Sequence, residues 1–213
     1  MNQSTALLFS SYLPPIQYFT KFLKYEKILI ERWEHFPKQT YRNRCCIYSA
    51  NGKLQLTIPI QHGKDEHQIM KDVKIANDFH WQKIHWKSIE TAYRCSPFFE
   101  FYEDEFISFY KKKYNYLMDY NEELLKAILK LLMLNISVTH TSSYETDYPE
   151  NIIDYRSVIH PKKGKKKLDN NFSPIQYSQV FSNRHDFIPN LSIIDLLFNQ
   201  GPSAIEILKS CIK

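Results

Sequence analysis

The densest group of side chains able to do chemistry is Lys38-Gln39-Thr40-Tyr41-Arg42-Asn43-Arg44. Two guanidiniums, one ammonium and two amides fall within a single turn-sized stretch. Arginine offers a planar fork that matches carboxylate or phosphate, and lysine acts as a point charge. A solvated basic loop is the plainer reading. The stretch nevertheless follows a buried apolar run, and loops that leave sheet strands often carry ligand sites. Lys38, Gln39, Arg42, Asn43 and Arg44 are therefore expected to hold an anionic substrate.

A second group is His80-Trp81-Gln82-Lys83-Ile84-His85-Trp86-Lys87-Ser88-Ile89-Glu90. On a helix Trp81, His85 and Ser88 share one face, which Ala92 continues. His85 is the candidate general base, because an unperturbed imidazole titrates near neutrality. Its plainer reading is a histidine packed among tryptophans. His80 and His85 diverge around a helix, so no shared metal is expected. Further on, Glu100, Glu103 and Asp104 interrupt aromatics in the segment from Tyr93. They read as the wet face of an amphipathic helix rather than as an acid–base pair. The lysine run Lys162 to Lys167 reads as a solvated loop, with a lid over a site as the alternative.

Several familiar chemistries are excluded. Gly52, Gly63, Gly164 and Gly201 are isolated, so no phosphate-cradling glycine loop is present. There is no G-x-S-x-G and no H-E-x-x-H, and no cofactor is expected. Cys45, Cys46, Cys95 and Cys211 form no C-x-x-C pair and read as buried structural thiols of a reducing cytosol. No apolar run approaches membrane-spanning length and the first residues lack a signal-peptide pattern, which gives a cytoplasmic expectation. A net charge of +5 over 213 residues suits small anions, and nucleic-acid binding would need a clustered basic face.

The elements that must position these groups are legible from pattern. Ala6–Phe9 reads as a buried strand, Pro14-Pro15 as the start of a helix through Leu23, and Lys27–Glu31 as a second buried strand. That makes a parallel βαβ unit. Asn51-Gly52 marks a hairpin joining Cys45–Ser49 to Leu54–Ile60. Asp78 is expected to cap a helix that runs to Cys95. A second helix carries Phe99 to Tyr110. Asp119 with Glu122 predicts a third over Tyr120–Leu134, followed by a strand at Ile136–His140. Residues 142–177 read as irregular. Ser192 is expected to cap a helix over Ile193–Phe198, ended by Gly201-Pro202, with a last helix from Ala204 to Cys211. The fold class is α/β: a βαβ unit with a hairpin extension, a central helical region and C-terminal helices, expected to form a single domain over 1–213.

Four stretches in this order resemble the WbqC-like protein family: Tyr12 to Phe19, Lys38 to Arg44 with Leu56 to Ile60, then Trp81 with His85-Trp86, Ala92-Tyr93 and Ser96 to Phe99, and finally Ile188 to Gly201. The resemblance spans nearly the whole chain, and Tyr93 within it is counted with the substrate contacts. It implies a setting in bacterial surface-polysaccharide (O-antigen or capsule) biosynthesis. The activity it implies is transfer of an acyl or aminoacyl group, such as glycine, onto an amino sugar. The opening βαβ unit also looks loosely like nucleotidylyltransferase folds, but Pro14-Pro15-Ile16-Gln17-Tyr18 carries neither histidine nor glycine of their H-x-G-H pattern.

In the resulting expectation the substrate is a small molecule, a nucleotide sugar held by the cationic stretch, and His85 deprotonates the attacking amine. Hydrogen-bond donors would stabilise the tetrahedral oxyanion. A non-catalytic binding or scaffold protein for glycan-assembly enzymes is the reading from another class, with aromatics forming an exposed patch. Nucleic acid held by the lysine run is the weakest of the three.

Overall fold

The computed structural model describes residues 4–61, 68–162, 164 and 167–213. It is an α/β protein built on a four-stranded parallel sheet, with an antiparallel hairpin beside it. The strand β1 (Thr5–Phe9) leads through α1 (Ile16–Lys24) to β2 (Lys27–Glu31), in register from Thr5 against Lys27 to Phe9 against Glu31. The hairpin is β3 (Arg44–Ser49) and β4 (Gly52–Thr57). Three helices follow, α2 (Trp81–Tyr93), α3 (Phe99–Lys111) and α4 (Leu117–Leu131). The chain then returns to the sheet as β5 (Ser137–His140) beside β2, and crosses to β6 (Ile152–Asp154) on the far side of β1. It ends in the short α5 (Ser182–His185), α6 (Ile193–Gln200) and α7 (Ala204–Ser210).

Period-two alternation explains how the sheet is covered. The even-numbered residues of β1 and β2, Ala6, Leu8, Ile28 and Ile30, pair on one face, which Val138 and His140 of β5 continue. There Leu125 and Leu129 of α4 face Ile30 and Val138 across a small cavity. The other face carries Leu7, Phe9 and Glu31 and receives α1, whose Tyr18 ring meets Phe9 edge-on at 5.7 Å and donates its hydroxyl to the Phe9 carbonyl at 2.8 Å. Strands buried on both faces read as continuous apolar runs, as ALLF and ILI do. One buried apolar cluster extends from Ala6 to Cys211.

Several boundaries moved from those expected. α4 starts at Leu117 rather than Tyr120, so Asp119 lies in its first turn and makes no capping bond. α2 starts at Trp81 with His80, not Asp78, before it. Asn51 is not among the residues with positive φ, so the hairpin does not use the turn that the Asn-Gly pair suggests. The paired ladder closes at Ser49 and Gly52, and Gly52 takes φ 89°, the glycine position of a bulged turn. Ser192 precedes α6 as expected, but its hydroxyl donates to Leu13 O at 2.9 Å instead of capping the helix. Gly201 is a true requirement: at φ 52° a Cβ would sit 2.4 Å from the Phe98 ring. The strand β6 lies inside the stretch read as irregular. Cys95 is exposed, unlike the other three cysteines.

Candidate functional site

Across the sheet the strands stand in the order β5-β2-β1-β6, which is third, second, first and fourth along the parallel path. The winding direction therefore reverses between β1 and β6. Parallel sheets of this kind bind ligands outside the carboxyl ends of the strands, at that reversal. A cleft of about 470 Å³ opens there, within the size range of small-molecule sites. Its walls come from the loops that leave β2 (Glu34, Lys38, Thr40, Arg42), β5 (Tyr144, Thr146) and β6 (Asp154, Arg156, Ser157, His160), with Lys167 beyond.

Two guanidiniums are fixed in it. Arg42 Nε and Nη2 donate to the two carboxylate oxygens of Glu34, both at 2.6 Å, while its guanidinium lies 4.3 Å from the centre of the Phe9 ring. Both partners are buried, at 4% and 9% side-chain exposure. Burial lifts the Glu34 carboxyl above its usual range, and the Arg42 charge works against that rise. Arg156 holds Asp154 through Nε and Nη2, at 2.7 to 3.1 Å, and donates from Nη1 to Glu31 at 3.0 Å. Glu31 is fully buried and also accepts from the Thr141 hydroxyl and the Trp33 amide, at 2.8 and 2.7 Å. Among the described residues four cationic side chains thus line the cleft against the two carboxylates Glu34 and Asp154, and Lys38 and Lys167 are exposed at its rim. An anionic ligand meets a net positive wall whose guanidiniums are already oriented.

The expected substrate contacts divide. Lys38 and Arg42 line the cleft, and Gln39, at φ 64°, accepts a hydrogen bond from Lys162 Nζ next to it. Asn43 and Arg44 do not line it. Asn43 Nδ2 donates to Ile58 O at 2.8 Å, bracing the loop against the residue after β4, and Arg44 opens β3. Of the lysine run, Lys162 and Lys167 are placed as stated, while Lys163, Lys165 and Lys166 lie outside the described residues.

Tyr93 is fully buried. Its hydroxyl donates to Asp195 Oδ1 at 2.8 Å and accepts from the Tyr48 amide at 3.0 Å. Tyr177 and Gln179 donate to the other oxygen of Asp195, at 2.6 and 2.9 Å. This network ties α6 to α2 and the hairpin. His85 is also buried, with Nδ1 2.9 Å from the Tyr12 hydroxyl, which in turn lies 2.9 Å from that of Tyr110. Desolvation holds its pKa down at about 4, a main-chain hydrogen bond to Thr57 pulling the other way. It packs edge-on against Trp81 and lines no described cavity with Arg42. Neither residue reaches the cleft.

Glu34, Asp154, Arg156 and His160 were not found from the sequence. A carboxylate eight residues before an arginine, just past a strand, was a usable hint for Glu34. The other three fall in the region without periodicity. Among the described residues no group of three or more His, Cys, Asp or Glu is placed to hold a metal, and no helix is long and apolar enough to cross a membrane.

A model of the WbqC-like protein family matches residues 10–207. The match begins just after β1 and covers α1, β2, the cleft and the Asp195 network together. An uncharacterized protein of Mycobacterium tuberculosis, Rv1507c, is 25% identical over an alignment of 232 positions that covers 98% of this chain and 99% of that protein. No solved structure matches significantly.

Proposed function

The chain belongs to the WbqC-like protein family, and we propose that it is a group-transfer enzyme of bacterial surface-polysaccharide assembly, moving an acyl or aminoacyl group onto an amino sugar. The observation that carries this reading is the cleft at the sheet's point of reversal, with two pre-oriented guanidiniums and two rim lysines around a volume suited to a nucleotide sugar. In it Lys38 and Lys167 meet the diphosphate, where mobile ammonium groups act as point charges. Arg42, held by Glu34 through Nε and Nη2, presents its Nη1 edge, while Arg156, whose donors go to Asp154, Glu31 and the Glu145 carbonyl, contributes positive charge. His160 stands on the cleft wall with its Nδ1 accepting the Lys162 amide at 3.0 Å. His85 supports Tyr12 from within the core.

Thermal-shift and calorimetric titration with UDP, UDP-N-acetylglucosamine and inorganic pyrophosphate test the reading, because a ligand of the folded state raises its apparent stability. The nucleotide sugar is expected to raise Tm, and Lys38→Ala combined with Lys167→Ala to weaken it tenfold or more. Both lysines are exposed, so the variant keeps its fold. Silence for all three ligands, or unchanged affinity in the double variant, would overturn it and favour a scaffold.

A further inference from the structure

The β3–β4 hairpin and α2 meet along a groove of about 670 Å³ that shares no lining residue with the anion cleft. It follows α2 from Lys83 to Ala92, with Ala50, Lys53 and Leu54 of the hairpin opposite. That stretch of helix rises about 14 Å, or about two and a half turns. The small side chains of Ala50 and Ala92 leave the groove open, and Leu54 and Ala92 give it an apolar floor. Ile84 lies at one end and is 61% exposed. A single exposed isoleucine is ordinary, but this one borders an apolar groove with lysines on either side of it in the chain.

The charge around the groove is of one sign. Lys53 stands on the hairpin side, Lys83 and Lys87 stand on the helix side, and among the described residues no carboxylate lines it. Lys87 is paired with Glu90 at 3.0 Å, whereas Lys53 and Lys83 make no ion pair among the described residues. The thiol that Lys53 approaches, Cys46, is pushed up by burial and stays protonated, so it does not neutralise the ammonium. On the other flank of α2 a smaller groove of about 320 Å³ repeats the pattern, with Lys83, Lys87 and Lys111 around Trp86, Ile107 and Tyr110. The exposed face of α2 is thus a cationic ridge between two apolar furrows. A lipid surface is flat and would leave the larger furrow unfilled, while a helix about as long as the furrow fills it.

We propose that the groove between α2 and the hairpin is a docking site for an acidic amphipathic helix of a partner protein. Apolar side chains of that helix at i, i+3, i+4 and i+7 cover Leu54, Ala92 and Ile84. Carboxylates flanking the apolar stripe meet Lys53 on one side and Lys83 and Lys87 on the other, which sets the partner's choice and its register. The site stands whether or not the anion cleft holds a nucleotide sugar.

Fluorescence anisotropy with two labelled synthetic peptides and the full chain tests the proposal. Each peptide has about 14 residues, enough helix to span the groove, with leucine at i, i+3, i+4 and i+7. One carries glutamate beside the leucines and the other lysine. The glutamate peptide is expected to bind saturably and at least tenfold tighter than the lysine peptide. Lys53→Glu combined with Lys83→Glu, both at exposed positions, is expected to reverse that preference while thermal unfolding stays at the wild-type temperature. Thr91→Trp, at an exposed position on the groove wall, is expected to abolish binding of either peptide by filling the space. Equal affinity for the two peptides, no reversal in the double variant, or no saturable binding would overturn the proposal. Binding to phosphatidylserine vesicles without binding to the glutamate peptide would overturn it too and assign the face to an anionic membrane surface.

Discussion

Truncation of Arg42 separates its part in the fold from its part in the cleft. Arg42→Ala removes a bidentate partner from Glu34, whose side chain is 9% exposed, and leaves that carboxylate buried. Breaking a buried pair from one side costs about 3–5 kcal/mol. Loss of the contact with the Phe9 ring adds up to about 1 kcal/mol. For a chain of this size that is on the order of 10 °C in Tm or more. The variant has a pH signature as well. The Glu34 carboxyl already lies above its usual range through burial, and without the guanidinium it rises further. An acid whose folded pKa exceeds its unfolded value near 4.3 lends stability below that value and loses it as pH rises through the folded one. The deficit of Arg42→Ala against wild type is therefore largest at pH 7 and shrinks towards pH 4. Arg42→Ala with Glu34→Leu is expected to recover most of the loss, because no charge is then stranded. Urea unfolding of wild type, Arg42→Ala, Glu34→Leu and the double variant at pH 7 and pH 4.5 gives both the coupling energy and its pH dependence. A deficit under about 1 kcal/mol, or one that grows on acidification, would refute the account of a buried, mutually dependent pair.

Two further outcomes concern buried side chains and a third an exposed thiol. His85 is held at a pKa of about 4 against an unfolded value near 6.5, so the unfolded chain takes up its proton first as pH falls. Stability is lost between pH 6.5 and 4, by about 3 kcal/mol from this group, and the slope should flatten in His85→Phe when both are unfolded in urea across that range. Tyr93→Phe strands the Tyr48 amide and one donor bond to Asp195; it should lower stability by about 2–3 kcal/mol with nucleotide-sugar affinity unchanged, a change in affinity at constant stability being the contrary result. Of the four thiols only Cys95 is exposed, so one equivalent should react rapidly with a thiol reagent in the native protein and four in denaturant.

Much of the architecture was legible because its signals are local. The ALLF and ILI runs, the prolines before α1 and the Asn51-Gly52 pair each act over a few residues, and β1, α1, β2 and the hairpin stand where they pointed. What escaped is governed by distant partners. β6 has three residues, too few for periodicity, and is a strand because Thr5 to Leu7 offer it an edge. α4 begins three residues early because Leu117 is buried and its amide bonds Val73 O, a tertiary contact that outweighs the local Asp119 cue.

The candidate site shows the same division at the level of single side chains. The sequence marks Lys38 to Arg44 as cation-rich, yet which members turn to ligand and which to the fold depends on what lies opposite. Arg42 meets Glu34 and Phe9 and is held in the cleft wall, Asn43 meets Ile58 O and becomes a brace, and Lys38 meets solvent at the rim. His85 has the residue type of a base, but it lies on the buried face of α2 beside Trp81 and Tyr12, where desolvation lowers its basicity well below that of a free imidazole. Arg156 gives the converse case. Nothing in Asp154-Tyr155-Arg156 announces it, and its place follows from β6 joining the sheet beside β1, which sets its guanidinium against Asp154 and the buried Glu31 of β2. The cleft is thus a product of strand order, and residues from three loops acquire a common chemistry only once the fourth strand has closed the sheet.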